Sequence, residues 1–394
     1  MKIVIPRNRF LKNLFLESDG ESFIWKDSID KNSYILGDKT SSRSINPIFQ
    51  ILGTTPPLLI SKEVKNSYSL LGAKENLPID AVQSSEEMIG NIKNSFRASR
   101  EALKELEDHG YLDTFMETNQ VIQRLQRAQI DYNGLRQAIE DKDIRNISVS
   151  KTFFPQKDGF LKVPKYSLTR TLTGRMTITD GPQILTAPKK IRKYLKSSFP
   201  NGKICQIDFI SLEPRVGMLL NEEDLGEDIY EYLGKKLFSQ KVARATVKKL
   251  VLCAVYGASE ATIKRSIPEG MNVRQLINRA KEILNYDLVV KEQTHNYQKT
   301  GKIKNFFGRP IQPQDNRDSL LYNNYIQSTA VDVALLGFGK ILKQAPARVR
   351  PIFFIHDAML VDLHPDDIEN FKNVSKSIFI EGLGRFPLEF QVLG

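Results

Sequence analysis

The chain has 394 residues, of which 41% are hydrophobic and 26% charged. That composition suits two to three globular, soluble domains with a substantial core rather than a disordered chain. Lys and Arg outnumber Asp and Glu by 57 to 46, a formal net charge of +11, and this excess points to a polyanionic partner.

The chain opens MKIVIPRNRF, without the long apolar stretch of a secretory signal. No apolar run approaches the roughly 20 residues of a membrane span. We therefore expect an intracellular protein with no membrane partner. Strand-like runs at 2–5, 22–25 and 57–60 alternate with turn residues, and a helical pattern sets in near Ser84. Residues 117–142 carry apolar positions Val121, Ile122 and Leu125 at helical spacing, with a break at Asp131-Tyr132-Asn133 that begins a second helix. A polar, irregular connection is expected over 143–165. A TGRMT segment follows at 173–177, then a strand ending at Asp208 and a largely helical block from 212 to 299. A helix over 324–342 leads into a β-hairpin at 352–363, and the chain closes with a helix and the strand-like FPLEFQVLG. The two cysteines, Cys205 and Cys253, sit in apolar segments and read as buried thiols rather than a disulfide or metal pair.

Three separated stretches carry chemistry. QIDFISLEPR (206–215) and FFIHDAMLVDL (353–363) each end an apolar run in an acid, Asp208 and Asp357. Either Asp alone reads as a turn cap. Brought together on adjacent strands they repel, and two divalent metal ions would relieve that repulsion while stabilising the attacking and leaving oxygens of a phosphoryl transfer. RATVKKLVLCAVYG (244–257) repeats Arg244, Lys248, Leu252 and Tyr256 every fourth residue. On a helix these share one face about 18 Å long, with Gly257 as a stop. Lys248 and Arg244 suit the β- and γ-phosphates of a nucleotide, and Tyr256 suits stacking at a base pair.

These stretches together resemble the family A, DNA polymerase I-like DNA polymerases, over roughly residues 116–394. The first family motif is similar to Asp208-Phe209-Ile210-Ser211-Leu212-Glu213-Pro214-Arg215, the finger-helix motif to Arg244, Lys248, Leu252, Tyr256 and Gly257, and the third motif to His356-Asp357-Ala358. The family's TGR is similar to Thr173-Gly174-Arg175, its Gln to Gln327 and its upstream Asn to Asn323.

The resemblance implies an α+β right-hand polymerase: an antiparallel palm sheet, helical fingers and a truncated helical thumb behind a small N-terminal α/β region. The implied divisions are 1–115 N-terminal, 116–172 thumb, 173–225 first palm segment, 226–323 fingers and 324–394 second palm segment. It implies two Mg²⁺ ions, with Mn²⁺ as an alternative, on Asp208, Asp357 and the Phe209 carbonyl. Lys248 would serve as a catalytic group that protonates the leaving group, and Glu213 would exclude ribonucleotides. Leu252 would line the nucleotide site, and Arg175, Gln327, Asn323, His356 and Gly257 would contact DNA. Primer–template DNA, dNTPs and a processivity partner are the implied partners, in the cytoplasm of a bacterium or a phage-infected host.

Several residues depart from the family pattern. Ala358 stands where a Glu is usual, Leu252 where an aromatic is usual, and Ser319 where an Arg is usual, with Arg317 near but out of register. Pro214 replaces an apolar residue and is expected to shift the start of the next helix. The short span 143–172 implies a compact, phage-type variant with a weak grip on duplex DNA. Asp19-Gly20-Glu21 has the spacing of a proofreading exonuclease but lies in a polar, turn-like stretch, so no proofreading is expected. The alternatives are a single-subunit RNA polymerase-like enzyme, a non-catalytic primer–template-binding protein on a polymerase scaffold, and a template-independent end-adding enzyme.

Overall fold

The structure, a computed structural model, describes residues 1–37, 41, 43–70, 72, 78–144, 146–219, 226, 228–257 and 260–393. It divides into two compact units, Met1–Asn119 with Gly308–Pro310, and Gln120–Phe307 with Ile311–Gly394. The expected division between 225 and 226 falls beside residues outside the described ones. Among the described residues no helix is long and apolar enough to cross a membrane.

The first unit is built on a four-stranded sheet in the order Phe23–Lys26, Phe15–Ser18, Ile3–Ile5, Tyr34–Ile35. Ile3, Val4 and Ile5 are all 0% exposed. A continuous apolar run is what a strand covered on both faces needs. The helix Ser85–Asp108 starts where the sequence indicates because Ser84 and Glu87 form a reciprocal capping box. Its buried positions Ile92, Phe96, Ser99, Leu103 and Leu106 recur at helical spacing. The strand expected at 57–60 does not form. Pro56 and Pro57 supply no N–H to a ladder, although Leu59 and Ile60 are buried all the same. Asp19 lies between two strands and accepts the N–H groups of Glu21 and Ser22 through its Oδ1, so it closes a turn.

The periodic stretch 117–142 is part of two helices, Leu112–Gln123, which begins in the first unit, and Tyr132–Glu140 in the second unit. Asp131 caps the second by accepting the Gly134 N–H, which accounts for the break. The 143–165 connection is not wholly irregular: Asn146 caps a short helix, Ile147–Lys151. The central sheet has five strands in the order Arg350–Ile355, Ala358–Leu363, Lys203–Phe209, Gly384–Leu393, Ser377–Ile380, each antiparallel to its neighbours.

The helix Asp318–Gln344 begins six residues earlier than expected from the sequence. It is buried nearly all round, as the central helix of a large core must be. Phe338 on this helix meets Phe209 and Phe354 at ring-centroid distances of 5.3 and 5.6 Å. That face of the sheet, with Cys205, Ile207, Phe209, Met359 and Val361, belongs to one core cluster. Ile204 and Leu360, on the opposite face, belong to a second cluster with Ile130, Leu135, Phe153 and Ile191. Asp208 shares the face of Ile204 because side chains alternate along a strand. The helical block after Leu212 comprises Leu212–Leu219, Ile229–Leu237, Arg244–Tyr256, Glu260–Lys264, Val273–Ile283 and Tyr286–Thr300. Pro214 does not displace the first of these; it sits in the opening turn, where a missing N–H breaks no ladder bond.

Gly337 lets the central helix approach the sheet. A Cβ there would lie 2.8 Å from Cζ of Phe209 and 3.0 Å from Cδ1 of Ile378. Gly337→Val is expected to destabilise the chain by about 1–3 kcal/mol through overpacking. A urea titration checks this, and an unchanged midpoint would refute the packing account.

Candidate active site

Asp208 occupies the next-to-last position of Lys203–Phe209, and Asp357 the turn joining Arg350–Ile355 to Ala358–Leu363. Strand pairing brings them together: Ala358 lies directly opposite Asp208, and the Phe209 N–H donates to the Asp357 carbonyl at 3.1 Å. The turn is reached through His356, held at φ 56°, in the left-handed region that non-glycine residues seldom adopt.

The pair is electrostatically uncomfortable. Burial, and then the charge of Asp357, push the Asp208 carboxyl up from 3.8 to about 7. Burial likewise raises Asp357. Gln206 donates to Asp208 Oδ2 at 3.2 Å and favours the ionised form. Arg192 Nη1 in turn donates to Gln206 Oε1 at 3.1 Å. Hard oxygen donors in this state fit a divalent cation. Among the described residues no group of three or more His, Cys, Asp or Glu could hold a metal by itself. A cation here would complete its shell with water and substrate oxygens, as Mg²⁺ usually does.

Asp208, Asp357, Glu213 and Glu389 line one cleft of about 430 Å³ with Arg244, Lys248, Leu252 and Arg175. Arg244, Lys248 and Leu252 come from the helix Arg244–Tyr256, ended by Gly257 in the left-handed conformation at φ 68°. Arg244 is oriented from outside its own helix. Its Nε donates to Asp228 Oδ2 at 2.8 Å, and its guanidinium lies 4.8 Å from the Tyr230 ring centroid. Lys248 has no hydrogen-bond or ion-pair partner among the described residues. The Tyr256 hydroxyl donates to the Glu213 carboxylate. Burial and that acceptor raise the Tyr256 phenol above its ordinary range.

A second cavity of about 50 Å³ joins Arg175, Gln327 and His356 to Glu213 and Asp357. Thr173 Oγ1 donates to Gln327 Oε1 at 2.7 Å, so the TGR segment and the central helix meet there. Desolvation, then the charge of Arg175, lower the His356 imidazole. The Phe209 ring faces the core. Asn323 and Gly257 are not among the residues lining either cavity. Asn323 Oδ1 is buried without a partner, and Gly257 abuts Ser319, whose Cβ would lie 3.0 Å from an added Cβ. Arg192, Gln206, Asp228, Tyr230 and Glu389 were not visible as site residues in the sequence. Gln206 alone carried a signal, two residues before Asp208 and so on its strand face.

No protein-family model matches the chain, and no curated protein matches it. Among solved structures, the chain is similar to the POL domain of Pol1 from M. smegmatis in complex with a DNA primer-template and dNTP, with a TM-score of 0.63. The match covers 96% of this chain and 91% of that one at 12% identity. The chain therefore has the mixed α+β fold of a polymerase domain.

The raised Asp208 sets a sign for stability against pH. Between the unfolded value of 3.8 and about 7, the folded chain keeps a proton that the unfolded chain releases, so rising pH across this window costs stability. In EDTA, thermal unfolding is expected to show melting falling more steeply with pH between 5 and 7.5 for the parent than for Asp208→Asn. Identical slopes would count against the strained pair.

Proposed function

We propose that this chain is a template-directed DNA polymerase that extends a primer 3′-OH with dNTPs by phosphoryl transfer assisted by two divalent cations. The observation that carries the reading is the convergence of Asp208 and Asp357 with Arg244 and Lys248 on one cleft, within a polymerase-domain fold.

Asp208 and Asp357, with the Phe209 carbonyl beside them, would hold Mg²⁺, with Mn²⁺ as a substitute. When bound, the cations lower the pKa of the attacking hydroxyl and offset the charge of the leaving pyrophosphate. Lys248 neutralises the triphosphate as a point charge and donates a proton to the departing oxygen. Arg244, aimed by Asp228 and Tyr230, grips phosphate oxygens as a fork. Leu252 contributes the apolar wall of the nucleotide site. Glu213, tied to Tyr256, excludes a ribose 2′-OH by its bulk, and Tyr256 with Gly257 faces the nascent base pair. Arg175, Gln327 and His356 read the primer–template minor groove, where acceptors are nearly independent of sequence, and Asn323 belongs to the same DNA-contacting set.

In the same reading, 116–172 is a reduced thumb, 173–225 and 324–394 form the palm and 226–323 the fingers. Residues 1–115 have no proofreading role, which agrees with Asp19 being spent on its own turn. A partner protein supplies processivity in a bacterial or phage-infected cytoplasm.

Extension of a labelled primer on a defined template, with each nucleotide supplied singly, tests this. The chain should add only the complementary dNTP. Asp208→Ala, Asp357→Ala or Lys248→Ala should each lower the rate by on the order of 10²–10³-fold. Glu213→Ala should admit rNTPs. Full activity of either Asp variant would refute the assignment, efficient rNTP use by the parent would favour an RNA polymerase, and extension without a template would indicate an end-adding enzyme.

A further inference from the structure

Asp208 has two cross-strand neighbours. On the hairpin side it faces Ala358, and on the other side it faces Glu389 of the strand Gly384–Leu393. Directly opposed residues of antiparallel strands point to the same face with Cβ atoms about 4.5–5.5 Å apart. One row across the sheet therefore reads methyl, carboxylate, carboxylate, with Asp357 at the adjoining turn. Glu389 lines the same cleft as Asp208, Asp357 and Lys248. Among the described residues no cation or hydrogen-bond donor holds its carboxylate, and its charge adds to the burden on Asp208.

Glu389 is exposed, so solvent screens its charge in the cation-free chain. The strand itself does not need it, because Leu388 on the opposite face supplies the core contact. The arrangement becomes favourable once positive charge enters the cleft.

We propose that Glu389 is a third carboxylate of the divalent-cation site, accepting hydrogen bonds from the hydration shell of the cation rather than ligating it directly. This rests on the metal-site reading of Asp208 and Asp357. Among the described residues no three His, Cys, Asp or Glu side chains gather closely enough to hold a metal, which places Glu389 in an outer position. Glu389 is thus a positioning residue, acting through water on an ion held by the two aspartates.

Titration of the full chain with Mn²⁺, followed by calorimetry and by the paramagnetic resonance of free Mn²⁺, tests the proposal without any catalytic readout. Glu389→Gln should weaken Mn²⁺ binding about tenfold, Glu389→Asp should restore most of it, and Asp208→Asn should abolish it. Melting of Glu389→Gln in EDTA should be unchanged or raised, which separates a lost charge from a damaged fold. Parent-like Mn²⁺ affinity in Glu389→Gln, with binding lost in Asp208→Asn, would overturn the role of Glu389 and leave the aspartate site standing. Parent-like affinity in Asp208→Asn as well would overturn the metal site itself.

Discussion

The structure around the cleft depends on a repulsion that strand pairing enforces. Ala358 is locked opposite Asp208, and the Phe209 amide is tied to the Asp357 carbonyl, so the two acids cannot separate without breaking the central ladder. Burial raises both carboxyls, and the charge of Asp357 adds to the rise at Asp208. A fold holds such a cost only when the surrounding core over-determines it. The core here does so through Phe209, Phe338, Phe354 and Phe386 packed beneath the acidic face.

The cationic side of the cleft is organised differently. Arg244 is already engaged, by Asp228 and by the face of Tyr230, whereas Lys248 has no partner among the described residues. A fork fixed in direction and a free point charge are complementary tools for an oligophosphate. The Tyr256–Glu213 bond couples the end of the same helix to the start of Leu212–Leu219. Movement of the helix Arg244–Tyr256 would therefore be felt at the residue proposed to inspect the sugar. Two residues singled out in the sequence sit without conflict: Ser319 packs beside the left-handed Gly257, and Pro214 occupies a helical position that needs no donor.

Much of this was legible from residue order because the informative signals are local. Apolar runs ending in Asp specify strand ends, the four-residue repeat from Arg244 specifies a helix face, and Gly257 specifies its stop. The helical pattern that sets in near Ser84 is equally local. What was not legible depends on register between distant strands. Glu389 becomes a neighbour of Asp208 only once Gly384–Leu393 pairs with Lys203–Phe209, and nothing in FPLEFQVLG announces that partner. Arg192 and Asp228 reach the site from separate segments through tertiary packing. The failed strand at 57–60 shows the converse error, in which apolar character was read as a strand although two prolines had removed the donors.

The most direct measurement of the central claim is anomalous diffraction from crystals grown with primer–template, a non-hydrolysable dNTP and Mn²⁺. The account predicts anomalous peaks between the Asp208 and Asp357 carboxylates, with the triphosphate turned towards Arg244 and Lys248. A nucleotide bound elsewhere, or manganese absent from between those two carboxylates, would contradict it.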